Sequence, residues 1–433
     1  MIIRDALRSL KNNFGKALFY WLTFVLTSMF IFLFFNIAMS ETVGVSFFYA
    51  QQDLALTVTI FVVAVCLIII FFANDFFIKN KARDLALRLI CGATYMQLAS
   101  YLLVQTFLLL ALAIPAGVIL ALILIPLLNV IISGMMQTAF TISLHFDAIV
   151  TTTIVLVSVV FWTTYLNLAF AYRNTAVNLL NDRKMTNPLA GITLDWERKK
   201  MSEKVKTIGG LILYLMPLIM FHLNTEAAVM FAILGMIGFH LVLNSLFIPL
   251  LDKIIHERKM DDPKAVARLG FIRTDLQILK NNVILFLVSC ILLISMFISG
   301  AQKPMEVMLS LLSYVVMNIL LSLAIMFRFQ TEITSRKKYF RPLEQIGYVR
   351  EDLKNVVFRE VIFVYAFIIA MAAPYLISMF LALVNKGLMQ WSTGGFLLIC
   401  MILPLIFCCF VTLYYYFTIV FKEKKDVPAV RES

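Results

Sequence analysis

Charge is scarce in this sequence: 14% of its 433 residues are Asp, Glu, Lys or Arg, against about 25% in a soluble domain. With 62% hydrophobic residues, the chain has too little polar surface to stand in water as soluble domains of that length. Cysteine is sparse too, and Cys66, Cys91, Cys290, Cys400, Cys408 and Cys409 show no C-x-x-C spacing. All but Cys91 lie inside apolar runs, so they read as small hydrophobes and not as a disulfide framework or zinc site. His145, His222, His240 and His256 are scattered without ligand spacing, and no metal site is expected. The phosphate-cradling pattern G-x-x-x-x-G-K-[ST] is missing. So are a Ser-His-Asp grouping and paired carboxylates within the apolar runs. No catalytic residues and no bound cofactor are expected.

What the chain does have is apolar blocks, near 17–39, 54–78, 98–132, 148–171, 207–224, 227–251, 282–300, 305–327, 357–385 and 392–421. Each reaches the ~20 residues that cross a hydrocarbon core as a helix. The fold class is an all-α integral membrane protein with about ten transmembrane helices. The first block is too long for a signal-peptide core and lacks a small-x-small cleavage site, so it reads as a retained helix. The third and ninth blocks are longer than needed; they contain Pro115 and Pro374, where kinks are expected because proline withholds a donor.

The net charge of +12 raises nucleic acid as a partner, but the basic residues sit in the loops between apolar blocks. The N-terminal segment, loops 79–96, 172–206, 252–281 and 328–359, and the tail hold 35 of the 37 Lys and Arg. The opposite side keeps Lys303 and Lys386 and carries Glu41, Asp53, Asp147, Glu226 and Glu306. Because cytoplasmic loops are enriched in Lys and Arg, this alternation places both termini in the cytoplasm.

The sequence also repeats itself. IRDALRSLKNN at 3–13 matches IRTDLQILKNN at 272–282 in seven of eleven positions. Each copy precedes a span and reads as an amphipathic helix in the membrane interface, with Arg4, Lys11, Arg273 and Lys280 toward the headgroups. A weaker match aligns Gly92 with Gly347, Leu98 with Leu353, and Gln105 with Glu360. The expected organisation is an N-terminal half 1–171, a cytoplasmic amphipathic linker 172–206, two further spans in 207–260, and a C-terminal half 261–433. In the linker, Trp196, Met201 and Val205 share one helical face opposite basic residues, the pattern of a membrane-surface helix; contact with a partner is the alternative. Asp75, an intramembrane acid and so a functional candidate by default, lies one turn from Lys79 and is expected to pair with it at the interface.

Lys79, Lys81, Arg83, Asp84, Leu85 and Leu89, followed by Gly92-Ala93-Thr94, resemble the signature of the FtsX-like permeases of ABC transporters. Ala86 stands where that family usually has glycine, and in the second copy Tyr339 stands where an acid would fall. Among these permeases, ten spans in one chain resemble the BceB and VraE type, but only Ala301 to Pro304 join spans seven and eight, where that type has a large extracellular domain. The resemblance implies two partly repeated FtsX-like halves and a separate cytoplasmic ABC ATPase, expected as a dimer, that binds ATP and Mg. Two segments would couple to it, one centred on Arg83, Asp84, Arg88 and Gly92, the other on Arg341, Glu344, Gly347 and Arg350. Any inner loop would carry such charge, so the competing reading is plain membrane topology.

The resulting expectation is a multi-pass subunit of a bacterial cell membrane, in contact with lipid and ATPase, that exports or removes an antimicrobial peptide, lantibiotic or lipid-linked compound. The alternative is an FtsX-like scaffold that relays ATPase state to a sensor histidine kinase or cell-wall partner without transport. An ion-driven transporter is disfavoured by the lack of acidic residues at mid-membrane.

Overall fold

The computed structural model describes residue 8 and residues 14–39, 54–136, 142, 144–173, 203–223, 228–258, 263–299, 304–345, 347–387 and 390–420. Among the described residues eleven α-helices run in order: α1 (Phe14–Ala38), α2 (Leu54–Ile90), α3 (Tyr95–Met136), α4 (Phe146–Arg173), α5 (Glu203–Leu223), α6 (Ala228–Val242), α7 (Ile248–Arg258), α8 (Pro263–Ser299), α9 (Pro304–Gln345), α10 (Arg350–Asn385) and α11 (Trp391–Tyr415). A π-helical turn, Leu243–Phe247, joins α6 to α7, and another, Tyr416–Val420, follows α11. Hydrocarbon offers no hydrogen bonds, so a spanning backbone must satisfy itself, and helices do so segment by segment.

Among the described residues, nine helical stretches are long and apolar enough to cross a membrane. The tenth expected span, 282–300, lies on α8, where the side chains of 291–299 are outside the described set. The linker segment 174–202, with its expected amphipathic helix, lies outside the described residues. So do Arg4 and Lys11, and the side chain of Lys79 expected to pair with Asp75.

The chain divides into two compact units, Met1–Lys200 with Leu293–Leu320, and Met201–Leu292 with Leu321–Ser433. In the first, α1 is enclosed: Phe30, Ile31, Phe32, Leu33, Phe34 and Phe35 are all buried, as expected of a helix apolar around its whole circumference. It packs on α2, α3 and α4. A Cβ at Gly117 of α3 would meet Val25 O of α1 at 2.6 Å and Met29 N at 3.0 Å, so only glycine lets these two backbones approach so closely. The opposite faces of α3 and α4 expose Phe107, Ile119 and Ile123, and Ile154, Val157 and Phe161, and these faces meet lipid.

One polar chain ties α1, α2, α3 and α4 together. Tyr20 Oη donates to Asn74 Oδ1 at 3.1 Å, Asn74 Nδ2 to Asn167 Oδ1 at 2.9 Å, and Asn167 Nδ2 to Thr106 Oγ1 at 3.2 Å. Thr106 passes its own hydroxyl proton to Leu102 O at 2.7 Å. All four side chains are buried, where a missing partner costs most.

In the second unit, α5 and α6 approach through glycine. A Cβ at Gly238 would strike the α5 backbone at Leu213 and Tyr214, and one at Gly210 would lie 3.2 Å from Val242 N. Helix α10 then fastens α5 by side chain to carbonyl bonds. Tyr375 donates to Tyr214 O, Ser378 Oγ to Leu218 O at 2.6 Å, and Lys386 Nζ to Leu223 O at 3.4 Å. Tyr214 returns one bond to Met371 O at 3.1 Å. Tyr365 of α10 and Thr412 of α11 share a hydroxyl bond of 3.0 Å.

Helices α3 and α10 are continuous through Pro115 and Pro374, the positions where kinks are expected. One expectation about local structure changes. The second copy of the repeat, Ile272–Asn282, is not a separate surface helix but part of α8, continuous with the span that follows. No glycine or proline falls between Gly270 and Ser299 to end the helix. Its apolar face, Ile272, Leu276 and Leu279, is buried in the protein, and Arg273 Nε lies 2.7 Å from Asp252 Oδ1 of α7. Arg273 thus has a protein partner where a headgroup was expected.

Replacing Asn167, which bridges two helices, with the similarly sized leucine should lower resistance to SDS unfolding by about 0.6–1.7 kcal/mol, the range for interhelical hydrogen bonds in membranes. Thr153→Val, whose hydroxyl bonds only its own helix at Ile149 O, should leave the unfolding curve in place.

Candidate functional site

The two segments singled out from sequence form the same local structure. Helix α2 ends with Gly92 N donating to Leu89 O at 3.0 Å and Ala93 N to Arg88 O at 2.9 Å. Helix α9 ends with Gly347 N donating to Glu344 O and Tyr348 N to Leu343 O, both at 3.1 Å. This paired pattern is a Schellman cap, which needs a left-handed residue after the helix. Gly92 at φ 89° and Gly347 at φ 108° supply it. No atom lies within 4 Å of where a Cβ would stand on either glycine, so the backbone angle alone selects them.

The equivalence extends into the helices that follow. Leu98, Tyr101, Leu102, Gln105, Thr106 and Leu109 of α3 are buried, and so are Leu353, Val356, Val357, Glu360, Val361 and Val364 at the matching positions of α10. Gln105 and Glu360, a matched polar pair, are both fully buried. The helix starts are capped differently. Thr94 and Gln97 form a reciprocal capping box, Gln97 N to Thr94 Oγ1 at 3.3 Å and Thr94 N to Gln97 Oε1 at 3.1 Å. Val349 offers no side-chain cap, and Glu351 and Asp352 face the positive helix end instead.

The first turn stands on a pedestal. Ile78, Ala82, Leu85 and Ala86 of α2 pack with Leu98, Ala99, Tyr101 and Leu102 of α3 and Phe170 and Ala171 of α4. Beyond the apolar stretch that ends at Asp75, α2 continues to Ile90, about 22 Å at the helical rise. Trp162 and Tyr165 of α4 meet edge to face, their ring centres 5.9 Å apart. Tyr172 lies about 10 Å further along that helix.

Among the expected coupling residues, Arg88 lies with its guanidinium 3.9 Å from the centre of the buried Tyr101 ring. This is a cation–π contact that joins the two arms of the hairpin. Asp84 is half-buried on α2, and Lys280 half-buried on α8. Arg83 and Arg341 lie within α2 and α9, with side chains outside the described set. At the second turn Arg350 Nε donates to Glu344 Oε1 at 3.1 Å, and Lys264 of α8 pairs with Asp352 at 2.8 Å. The sequence reading missed the chain of Tyr20, Asn74, Thr106 and Asn167. Its signal was available as Asn and Thr inside apolar runs, but the charged neighbour Asp75 drew the eye instead.

Among the described residues no three His, Cys, Asp or Glu side chains converge as a metal site would require. An apolar crevice of about 150 Å³ in the first unit is lined by Phe32, Ile114, Val118, Leu156 and neighbours. Its Thr152 and Thr153 hydroxyls are spent on their own helix, at Ala148 O and Ile149 O.

A search of curated proteins finds no match to the chain. Residues 56–175, which include α3, α4, the first glycine turn and nearly all of α2, match the family described as FtsX-like permease C-terminal. FtsX-like permeases are in general non-catalytic membrane subunits that work with a cytoplasmic ABC ATPase. Over that stretch this multi-pass membrane protein is similar to the FtsX-like permeases.

Proposed function

We propose that the chain is the membrane permease subunit of a bacterial ABC transporter, and that its two glycine turns face the cytoplasm and receive the motion of a separate ATPase. The observation that carries this reading is the duplicated Schellman turn, each copy leading without interruption into a long helix, α3 or α10. A rigid helix moves as a unit, so a push at its capped end reaches the membrane interior, a coupling between distant sites through discrete packed elements. The scarcity of charge inside the spans favours an amphipathic substrate, a membrane-active peptide or lipid-linked compound, exported or lifted from the bilayer. ATP and Mg belong to the partner.

Transport is separated from relay by reconstituting the chain with its ATPase in proteoliposomes and following a fluorescent cationic amphipathic peptide. ATP-dependent movement of the peptide supports the permease; hydrolysis with no movement under any condition supports a relay to a kinase or cell-wall partner and overturns the transport assignment. Sidedness has its own check: the exposed Cys91 should react with a membrane-impermeant maleimide in inverted vesicles and not in intact cells. Gly92→Ala and Gly347→Ala should each strain the turn by about 1–2 kcal/mol, the cost of a left-handed L-residue. ATP-driven movement should then fall about five- to thirty-fold while insertion stays normal, and Gly92→Asn should be milder because asparagine tolerates that conformation.

A further inference from the structure

The two turns share a backbone but not a surface. Around Gly92 the large exposed apolar side chains are Leu87, Ile90, Tyr95 and Met96, with Ile90 61% and Met96 63% accessible, beside the smaller Cys91 and Thr94 and the polar Gln97. Tyr172 of α4 joins them, its ring 6.4 Å from that of Tyr95 and its hydroxyl 3.4 Å from Met96 Sδ. At the matching positions around Gly347 stand Pro342, Gln345, Arg350 and Glu351, also exposed, with Val349 where the first turn has Thr94. At those four positions the first turn is apolar and aromatic, while the second carries a charge of each sign and is braced by the Glu344–Arg350 ion pair.

We infer that the first turn is an apolar anchor that inserts into a hydrophobic cleft on the nucleotide-binding partner, while the second makes a polar, salt-sensitive contact. The bilayer does not account for the apolar patch. On α2 the apolar span ends at Asp75, and Ile90 lies about 22 Å beyond it, with Lys79, Lys81 and Arg83 between them. The headgroup layer is only about 5–8 Å deep. The patch therefore stands in water, on a pedestal with its own packed core. Contiguous apolar side chains held in water mark a protein contact, and tyrosine and methionine are the residue types enriched there. This rests on the ATPase-partner reading and adds to it a division of labour: the first turn holds, and the second, whose charges are screened by salt, adjusts.

The test uses the full chain in its native membrane, with azido-ATP photolabelling to identify nucleotide-binding subunits. Retention of the labelled subunit on the tagged chain is measured across a salt series. Wild-type chain should retain it at high salt. Ile90→Ser with Met96→Ser should weaken retention at every salt concentration, about tenfold per residue for side chains of this size. Gln345→Ser with Glu351→Ser, at the matching positions, should hold it at high salt as the wild type does. In parallel, the photoreactive p-benzoylphenylalanine is placed at position 96 or 351, both exposed, so that folding is not at stake. A cross-link from position 96 to the azido-ATP-labelled subunit supports the anchor. Cross-links from position 351 alone, or from position 96 to lipid, overturn the anchor and leave the ATPase reading standing. No labelled subunit at either position overturns both.

Discussion

Tyr20, Asn74, Asn167 and Thr106 come from four helices and complete one another's hydrogen bonding in a place without water. Each would be costly to bury alone; together they leave each helix one rotational setting at that level. Everything above and below depends on this. The enclosed α1 can be apolar on all sides because its register is held at Tyr20, and the lipid-facing surfaces of α3 and α4 need no specificity of their own. In the second unit the same task falls to hydroxyl and ammonium groups of α10 bound to carbonyls of α5, with glycines drawing α6 against α5.

The duplicated turns show how much of a repeat survives when its surface diverges. What persists is what physics cannot exchange: a left-handed residue after the helix, and a buried stripe in register from Leu98 to Leu109 and from Leu353 to Val364. What differs is the exposed set, where a substitution costs little stability. The first arm of each hairpin differs as well, since Arg88 spends its charge on the Tyr101 ring while leucine holds the corresponding position 343.

Much of this was legible in the chain itself. Hydropathy located the spans because twenty apolar residues have few other uses, and Gly92-Ala93-Thr94 read correctly as a turn because glycine followed by a capping residue has a narrow meaning. Continuity was not legible: hydropathy reports the medium around a helix, not its backbone, so the polar first half of α8 looked like a separate element when nothing in its sequence ends the helix. Nor was the polar chain. Asn74 and Asn167 are 93 residues apart, and an isolated asparagine in an apolar run does not say which way it points. Asp75 was chosen on charge, one residue from the buried partner.

Helix α3 is a lever with its pivot off-centre. From its first residue to Thr106, where the polar chain grips it, is about 16 Å; from there to Met136 is about 45 Å. A sideways displacement delivered at the short arm emerges at the far end nearly threefold larger and in the opposite sense. Pro115 and Pro126 sit on the long arm, beyond the grip, where a missing backbone donor softens the rod. Their stiffness sets how much of that gain reaches the opposite face of the membrane.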